Sequence, residues 1–144
     1  RHLKEWEPLI PLSEELENVN LYLAFEKARF SDKLQIEFIL PQDNLNSIMV
    51  PPFSVEMLVE NAVKHGLLPK KGGVLRITAA KNGQKAIIEV VDTGVGINGN
   101  SKDGVGLSNL KERLKNLFGE EGQLLIGPAE EGGTVARLVI PCTS

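Results

Sequence analysis

Val59-Glu60-Asn61-Ala62-Val63-Lys64-His65-Gly66 and, further along, Asp92-Thr93-Gly94-Val95-Gly96-Ile97 decide the reading of this chain. The first stretch is helical: Val55, Leu58, Val59 and Ala62 recur at the spacing that lines one helix face. Pro51 and Pro52 stand ahead of it and are expected to open the helix, because first-turn N–H groups lack partners anyway. Gly66 suits its C-terminal cap. The second stretch follows a strand, Lys85 to Val91, and leads into a glycine-rich run from Gly94 to Gly106.

Working outward, Leu12, Leu16, Val19, Leu23 and Phe30 predict a helix over 12–30, with Ser13 and the acids Glu14 and Glu15 marking its start. A strand from Leu34 to Leu40 is stopped by Pro41. Val74 to Ala80 alternates, with Leu75, Ile77 and Ala79 on one face and Arg76 and Thr78 on the other; Asn82-Gly83 reads as a hairpin turn into Lys85. A third helix carries Leu107, Leu110, Leu114 and Leu117. Strands Gln123 to Ile126 and Thr134 to Ile140 flank a turn at Glu131-Gly132-Gly133. Helices set apart from hairpin-linked strands point to an α+β sandwich with one sheet face covered.

The composition excludes several classes. The 144 residues suffice for one domain with its own core. With 42% hydrophobic and 24% charged residues, the chain has a globular profile. A net charge of −3 leaves no basic footprint, so neither nucleic acid nor contact with an anionic membrane is expected. The single cysteine, Cys142, forms no internal disulfide, which fits a reducing compartment. No run approaches the roughly 20 apolar residues of a membrane span.

Gly94-Val95-Gly96-Ile97-Asn98-Gly99 matches the dinucleotide fingerprint G-x-G-x-x-G in its letters. That fingerprint requires its glycines to lead straight into a helix that holds a pyrophosphate. Here Asn98 to Gly104 is polar and lacks helical periodicity, and the neighbouring strands pair as a hairpin. A Rossmann site is therefore set aside, and no Walker A loop is present.

Four stretches taken together fit better. Val59 to Gly66 resembles the N box of the ATPase superfamily that includes histidine kinases, DNA gyrase, MutL and a class of heat-shock chaperones. Asp92 to Ile97 resembles its first glycine box, Gly104-Val105-Gly106-Leu107-Ser108-Asn109 its second, and Gly132-Gly133-Thr134 its last element. Order and spacing agree. Pro51-Pro52 before the N box, Leu12-Ser13-Glu14-Glu15-Leu16, and Gly106 through Leu114 resemble the LytS-type sensor kinases in particular. The resemblance implies a two-layer α/β sandwich, with a mixed sheet of about five strands and three main helices on one face.

It also implies a site for ATP and Mg2+. Asn61 offers the hard oxygen that magnesium prefers. Lys64, three residues on and on the same helical face, can reach a phosphate; Glu60 is a candidate base or a group behind the metal. These three are the candidate catalytic residues. Asp92 can accept a hydrogen bond from the adenine amine, with Gly94 and Gly96 letting backbone approach the base. Ile97, Gly104, Gly106, Leu107 and Ser108 border the nucleotide, the last at a helix start suited to anions. His65 and Thr134 complete the set. Each has a plainer alternative: a solvated lysine, a helix-end histidine, an aspartate that only shapes a turn, a strand threonine.

One departure stands out. Hydrolases of the superfamily carry a general-base glutamate four residues before the metal-binding asparagine, and Met57 occupies that place here. Methionine takes no proton from water, which favours transfer over hydrolysis. The segment Asn98 to Asp103 is short for a lid over the phosphates. Residues 1–12 are then the end of an upstream dimerisation and phosphoacceptor region or linker, and 13–144 the ATP-binding catalytic domain. His2, followed by Leu3-Lys4-Glu5, does not match the acceptor pattern His-Phe-Leu-Phe-Asn. The implied whole is a membrane-anchored, homodimeric sensor with this domain in the cytoplasm. Its partners would be the upstream histidine domain and a response regulator of the LytTR type. An anti-sigma serine kinase of the same fold, or a module that senses ATP without transferring phosphate, remain the alternatives.

Overall fold

The computed structural model describes residues 9–41, 45–96, 104–130 and 132–142. Strand β1 (Ile10–Pro11) pairs antiparallel with β3 (Met49–Val50). Between them lie helix α1 (Leu12–Phe30) and strand β2 (Leu34–Ile39). The helical repeat of α1 is fulfilled: Leu12, Leu16, Val19, Leu23 and Phe30 are all buried. Its start differs from expectation. Pro11, not Ser13, is the N-cap, and it makes no side-chain capping bond. The β1–β3 pairing and the bond from the Leu12 N–H to the Ile48 carbonyl (2.8 Å) set where the chain turns into α1.

Helix α2 (Ser54–Asn61) begins after the prolines rather than on them. Phe53 precedes it in the left-handed conformation (φ 69°), and the Pro51 carbonyl accepts both the Ser54 N–H (3.1 Å) and the Ser54 hydroxyl (2.6 Å). From Ala62 to Leu67 the helix widens into a π turn and then continues as α3 (Leu68–Lys70). Insertions of this kind recur at functional sites. Gly66 therefore lies inside the helical segment and is not its cap. Lys71 (φ 64°) ends it, its N–H bonded to Leu68 O at 3.0 Å.

Strands β4 (Gly73–Asn82) and β5 (Lys85–Asp92) form the hairpin, with Asn82 opposite Lys85. The two loop residues are Gly83 and Gln84, one position later than the sequence suggested, and Gly83 supplies the positive φ (68°) that a tight hairpin loop needs. Helix α4 (Gly104–Phe118) and strands β6 (Gln123–Pro128) and β7 (Thr134–Pro141) complete the chain. The five long strands run in the order β2-β4-β5-β7-β6, with β2 parallel to β4 and every other pair antiparallel. The parallel pair needs a crossover, and the segment containing α2 provides it.

Side-chain alternation sorts the sheet into two faces. Leu75, Ile77 and Ala79 of β4, Ala86, Ile88 and Val90 of β5, and Leu138 and Ile140 of β7 are buried in one core with the apolar residues of α1, α2 and α4. The opposite face carries the ion pairs Arg76–Glu37 (2.9 Å) and Arg137–Glu89 (2.6 Å). This is the mixed five-stranded α+β sandwich with three main helices that the sequence implied. The same alternation in β5, continued past Val90 by two residues, turns Asp92 toward the helices. A carboxylate thus closes a row of core positions.

Candidate functional site

Asp92 is 3% exposed. Its Oδ1 accepts the Gly94 N–H at 2.8 Å. Burial raises its carboxyl pKa, opposed by the hydrogen bonds from the backbone N–H groups of Gly94 and Thr134. A carboxylate buried with no ion-pair partner among the described residues is costly in a fold, and a costly group placed beside a glycine loop is a candidate for function.

The loop after β5 is clamped between two other motifs. A Cβ on Gly94 would overlap the carbonyl carbon and oxygen of Gly66, and the Val95 N–H donates to the Gly66 carbonyl at 3.1 Å. A Cβ on Gly66 would lie 2.5 Å from Asp92 Oδ1. On the other side, Gly133 (φ 89°) sits against the Asp92 carbonyl, where an added Cβ would overlap it, and Thr134 is in register with Asp92. Gly94 is thus required by the approach of two backbones. The sequence reading had attributed it to approach of a base. Gly96 (φ 80°) faces Gly133 across ordinary contact distance. The second glycine box joins through α4: Met57 of α2 is the nearest side chain to a Cβ on Gly106, its Sδ at 3.5 Å.

The remaining candidates fall around this junction. Asn61 ends α2 and is half-buried; Glu60 precedes it, its Oε1 4.0 Å from Lys64 Nζ. Lys64 and His65 are exposed on the π turn. Thr134 is half-buried at the start of β7. Gly104 and Gly106 lie within the first turn of α4 instead of ahead of it. Ser108 is exposed, whereas Leu107 is buried in the core, so only its backbone can border a ligand. Ile97 and the short segment Asn98 to Asp103 lie outside the described residues. A cavity of about 350 Å³ opens on the other face of the sheet, among Val74, Arg76, Val91, Val135 and Arg137; it contains neither Asn61 nor Asp92.

Two groups escaped the sequence reading as parts of this site. Glu15, fully buried on α1, accepts the N–H groups of Phe53 (2.9 Å), Val55 (3.0 Å) and Glu56 (3.0 Å) at the start of α2. Its position, three residues after Leu12 and four before Val19, puts it on the apolar face of α1, whereas Glu14 is exposed; the sequence reading passed over that signal. Glu56 has its carboxyl pKa raised by burial and by the nearby Glu60 and Glu15, and its Oε1 is buried without a hydrogen-bond partner among the described residues.

The fold and the junction of four motifs define the class of nucleotide-associated catalytic domains found in histidine kinases. The catalytic domain of histidine kinase ThkA, in a nucleotide-free form, superposes with a TM-score of 0.70 at 17% identity, over 94% of this chain and 95% of that one. Acinetobacter baumannii histidine kinase AdeS gives 0.69 at 19% identity, over 100% of this chain and 70% of that one. Residues 54–144 match the family described as histidine kinase-, DNA gyrase B-, and HSP90-like ATPase, and the chain belongs to that family. Among curated proteins it is similar to the sensor protein LytS of Enterococcus faecalis (35% identity over 92% of this chain) and of Bacillus subtilis (37% over 92%). It is also similar to the sensor histidine kinase BtsS of Escherichia coli (32% over 98%). The chain covers 25% of the length of each of these relatives. Among the described residues, no helix is long and apolar enough to cross a membrane.

Proposed function

We propose that this chain binds Mg-ATP where α2, the loop after β5 and the start of α4 meet, and delivers the γ-phosphoryl group to a histidine of an upstream dimerisation domain. The observation that carries the reading is the interlock of Gly66, Asp92, Gly94 and Gly133, which brings motifs distant in sequence to one buried carboxylate. Asp92 Oδ1 is occupied by Gly94, and the carboxylate retains acceptor capacity for an exocyclic amine. Asn61 offers the kind of hard oxygen that would hold a magnesium ion together with phosphates and water, and such an ion would offset charge on the transferring group. Lys64, exposed and flexible, supplies a positive charge to the phosphates, and His65 and Ser108 supply further donors. Met57 stands where a hydrolase carries its base, so water near the phosphates finds no proton acceptor at that position.

Domain 13–144 acts on an acceptor outside it, with 1–12 leading to the acceptor domain. The same reading gives a homodimeric, membrane-anchored sensor whose phosphoryl group passes to a response regulator of the LytTR type. It is supported by the LytS relatives and by the solved complex of histidine kinase ThkA with response regulator TrrA.

Calorimetry with ATP, with and without magnesium, is the first test. Asn61→Ala is expected to lose the magnesium-dependent part of the affinity. Equal affinity of both proteins under both conditions would remove Asn61 from the site. With γ-labelled ATP, the chain alone is expected to stay unlabelled, and to label a separately supplied LytS-type acceptor domain with an acid-labile phosphate. Strong labelling of the chain itself at His2 or His65, or an acid-stable label on the acceptor, would overturn the proposed transfer.

A further inference from the structure

The first four N–H groups of a helix have no partner within it, and those of α2 can be followed one by one. Met57 N–H reaches the Phe53 carbonyl at 3.0 Å, and Ser54 N–H reaches the Pro51 carbonyl. Val55 and Glu56, with Phe53 just outside the helix, have no partner in their own segment. Phe53 is the N-cap but offers no capping atom, and its left-handed backbone is an unfavourable conformation for a bulky residue. All three amides are taken by Glu15, which stands 38 to 41 residues away in sequence. The carboxylate is fully buried, sits at the positive end of a helix dipole and makes charge-assisted bonds.

The surroundings of Glu15 leave little slack. One turn before it, Leu12 N–H is bonded to Ile48 O, and Ile10 and Pro11 pair with Val50 and Met49. Pro51, next along that strand, supplies the carbonyl that holds Ser54. At its other end, α2 carries Asn61 and passes directly into the turn whose Gly66 carbonyl is bonded to the loop after Asp92. A short helix clamped at both ends moves as one body, so a shift where Glu15 holds it reaches Asn61.

We propose that Glu15 is a positioning residue of the nucleotide site: by holding the start of α2 it places Asn61, and it makes the affinity for Mg-ATP depend on α1. The inference rests on the proposed binding of Mg-ATP. Because coupling between sites is reciprocal, the nucleotide in turn steadies the start of α2 and the N-terminal turns of α1.

The test uses the full chain, Glu15→Gln, and Glu14→Gln as a control on the exposed side of the same helix. Calorimetry gives the Mg-ATP affinity at a temperature where circular dichroism shows each protein folded, and amide hydrogen exchange is followed at Val55, Glu56 and along α1. Glutamine keeps the size but one of its two ends becomes a donor facing N–H groups. Glu15→Gln is expected to weaken Mg-ATP by tenfold or more and to speed exchange at Val55 and Glu56, with Glu14→Gln unchanged. A purely structural role would lower the melting temperature and leave the affinity of the folded protein within twofold; that result overturns the proposal. Should Glu15→Gln fail to fold, the wild-type chain decides: Mg-ATP must slow exchange at Val55, Glu56 and the first turns of α1, and no change there refutes the coupling. Absence of Mg-ATP binding by the wild-type chain would instead refute the function on which it rests.

Discussion

Gly66→Ala sets two effects of known size against each other. Alanine is favoured over glycine within a helix by about 1 kcal/mol, so an unobstructed site would gain stability. Here the new Cβ would fall 2.5 Å from Asp92 Oδ1 and 2.8 Å from its Cγ, roughly 1 Å inside the usual 3.5–4.0 Å contact range of carbon atoms. Asp92 has nowhere to retreat, since Oδ1 is held by Gly94 at 2.8 Å and the residue is 3% exposed. Overpacking of this kind costs about 1–3 kcal/mol. The net change in stability is therefore between about zero and a 2 kcal/mol loss, and the domain stays folded. Nucleotide affinity suffers more. A displaced carboxylate would give up the hydrogen bond to the base proposed for it, and bonds to a charged group contribute about 1.5–3 kcal/mol. At about 1.4 kcal/mol per decade, the loss is about ten- to a hundredfold. Because the defect lies at the base, ATP and ADP should lose the same factor. Calorimetry with both nucleotides and a thermal melt measure it, and in Asp92→Ala the further change Gly66→Ala should cost almost nothing in affinity. A raised melting temperature with unchanged ATP affinity would show that Gly66 does not position Asp92.

The other expectations concern Asp92 itself. Asp92→Asn should weaken ATP and narrow a preference over GTP that is at least about tenfold in the wild type, given a cost of about 1–3 kcal/mol for an unpaired buried contact. Competition binding of both nucleotides checks this, and undiminished discrimination would make Asp92 a turn residue. Acidity gives a second handle. Burial raises the Asp92 pKa above its unfolded value, so the folded state binds the proton more tightly. The resulting penalty on stability is absent below the unfolded pKa, grows as pH rises through the window up to the folded one, and is complete above it. Affinity for ATP runs the other way, because only the ionised carboxylate is purely an acceptor. Titrations between about pH 4 and 7 should show ATP affinity falling with acidification in wild type, with that component missing in Asp92→Asn. Identical profiles would remove Asp92 from base recognition. Glu56, whose pKa is raised as well, and the terminal phosphate of ATP itself, which titrates at about pH 6, contribute to any slope left in the variant.

The sequence by itself determined the three main helices, the five long strands, the two faces of β4 and the positions of the motifs. The period of α1 marked its buried apolar residues correctly, and the alternation from Val74 to Ala80 separated the core face of β4 from the other, because these patterns depend only on the local geometry of helix and strand. Local rules failed where the partner was distant. Pro51 and Pro52 suit a helix start in isolation, yet the start of α2 follows from a carboxylate on α1. Gly66 has the position and chemistry of a cap, yet it is a glycine because Asp92 and Gly94 press against it. Gly94 belongs to a recognisable box, but its need for hydrogen in place of a side chain arises from the backbone of Gly66 and not from a ligand. The helical period puts Glu15 on the buried face and Glu14 off it, but only packing shows that Glu15 meets the amides of Phe53, Val55 and Glu56. A periodic pattern records which way a side chain points, while the tertiary structure decides what it meets there. The amides that Glu15 holds, and the carboxylate that a side chain on Gly66 would strike, belong to segments whose approach is settled by the burial of a common core, and no local stretch of sequence encodes that distance.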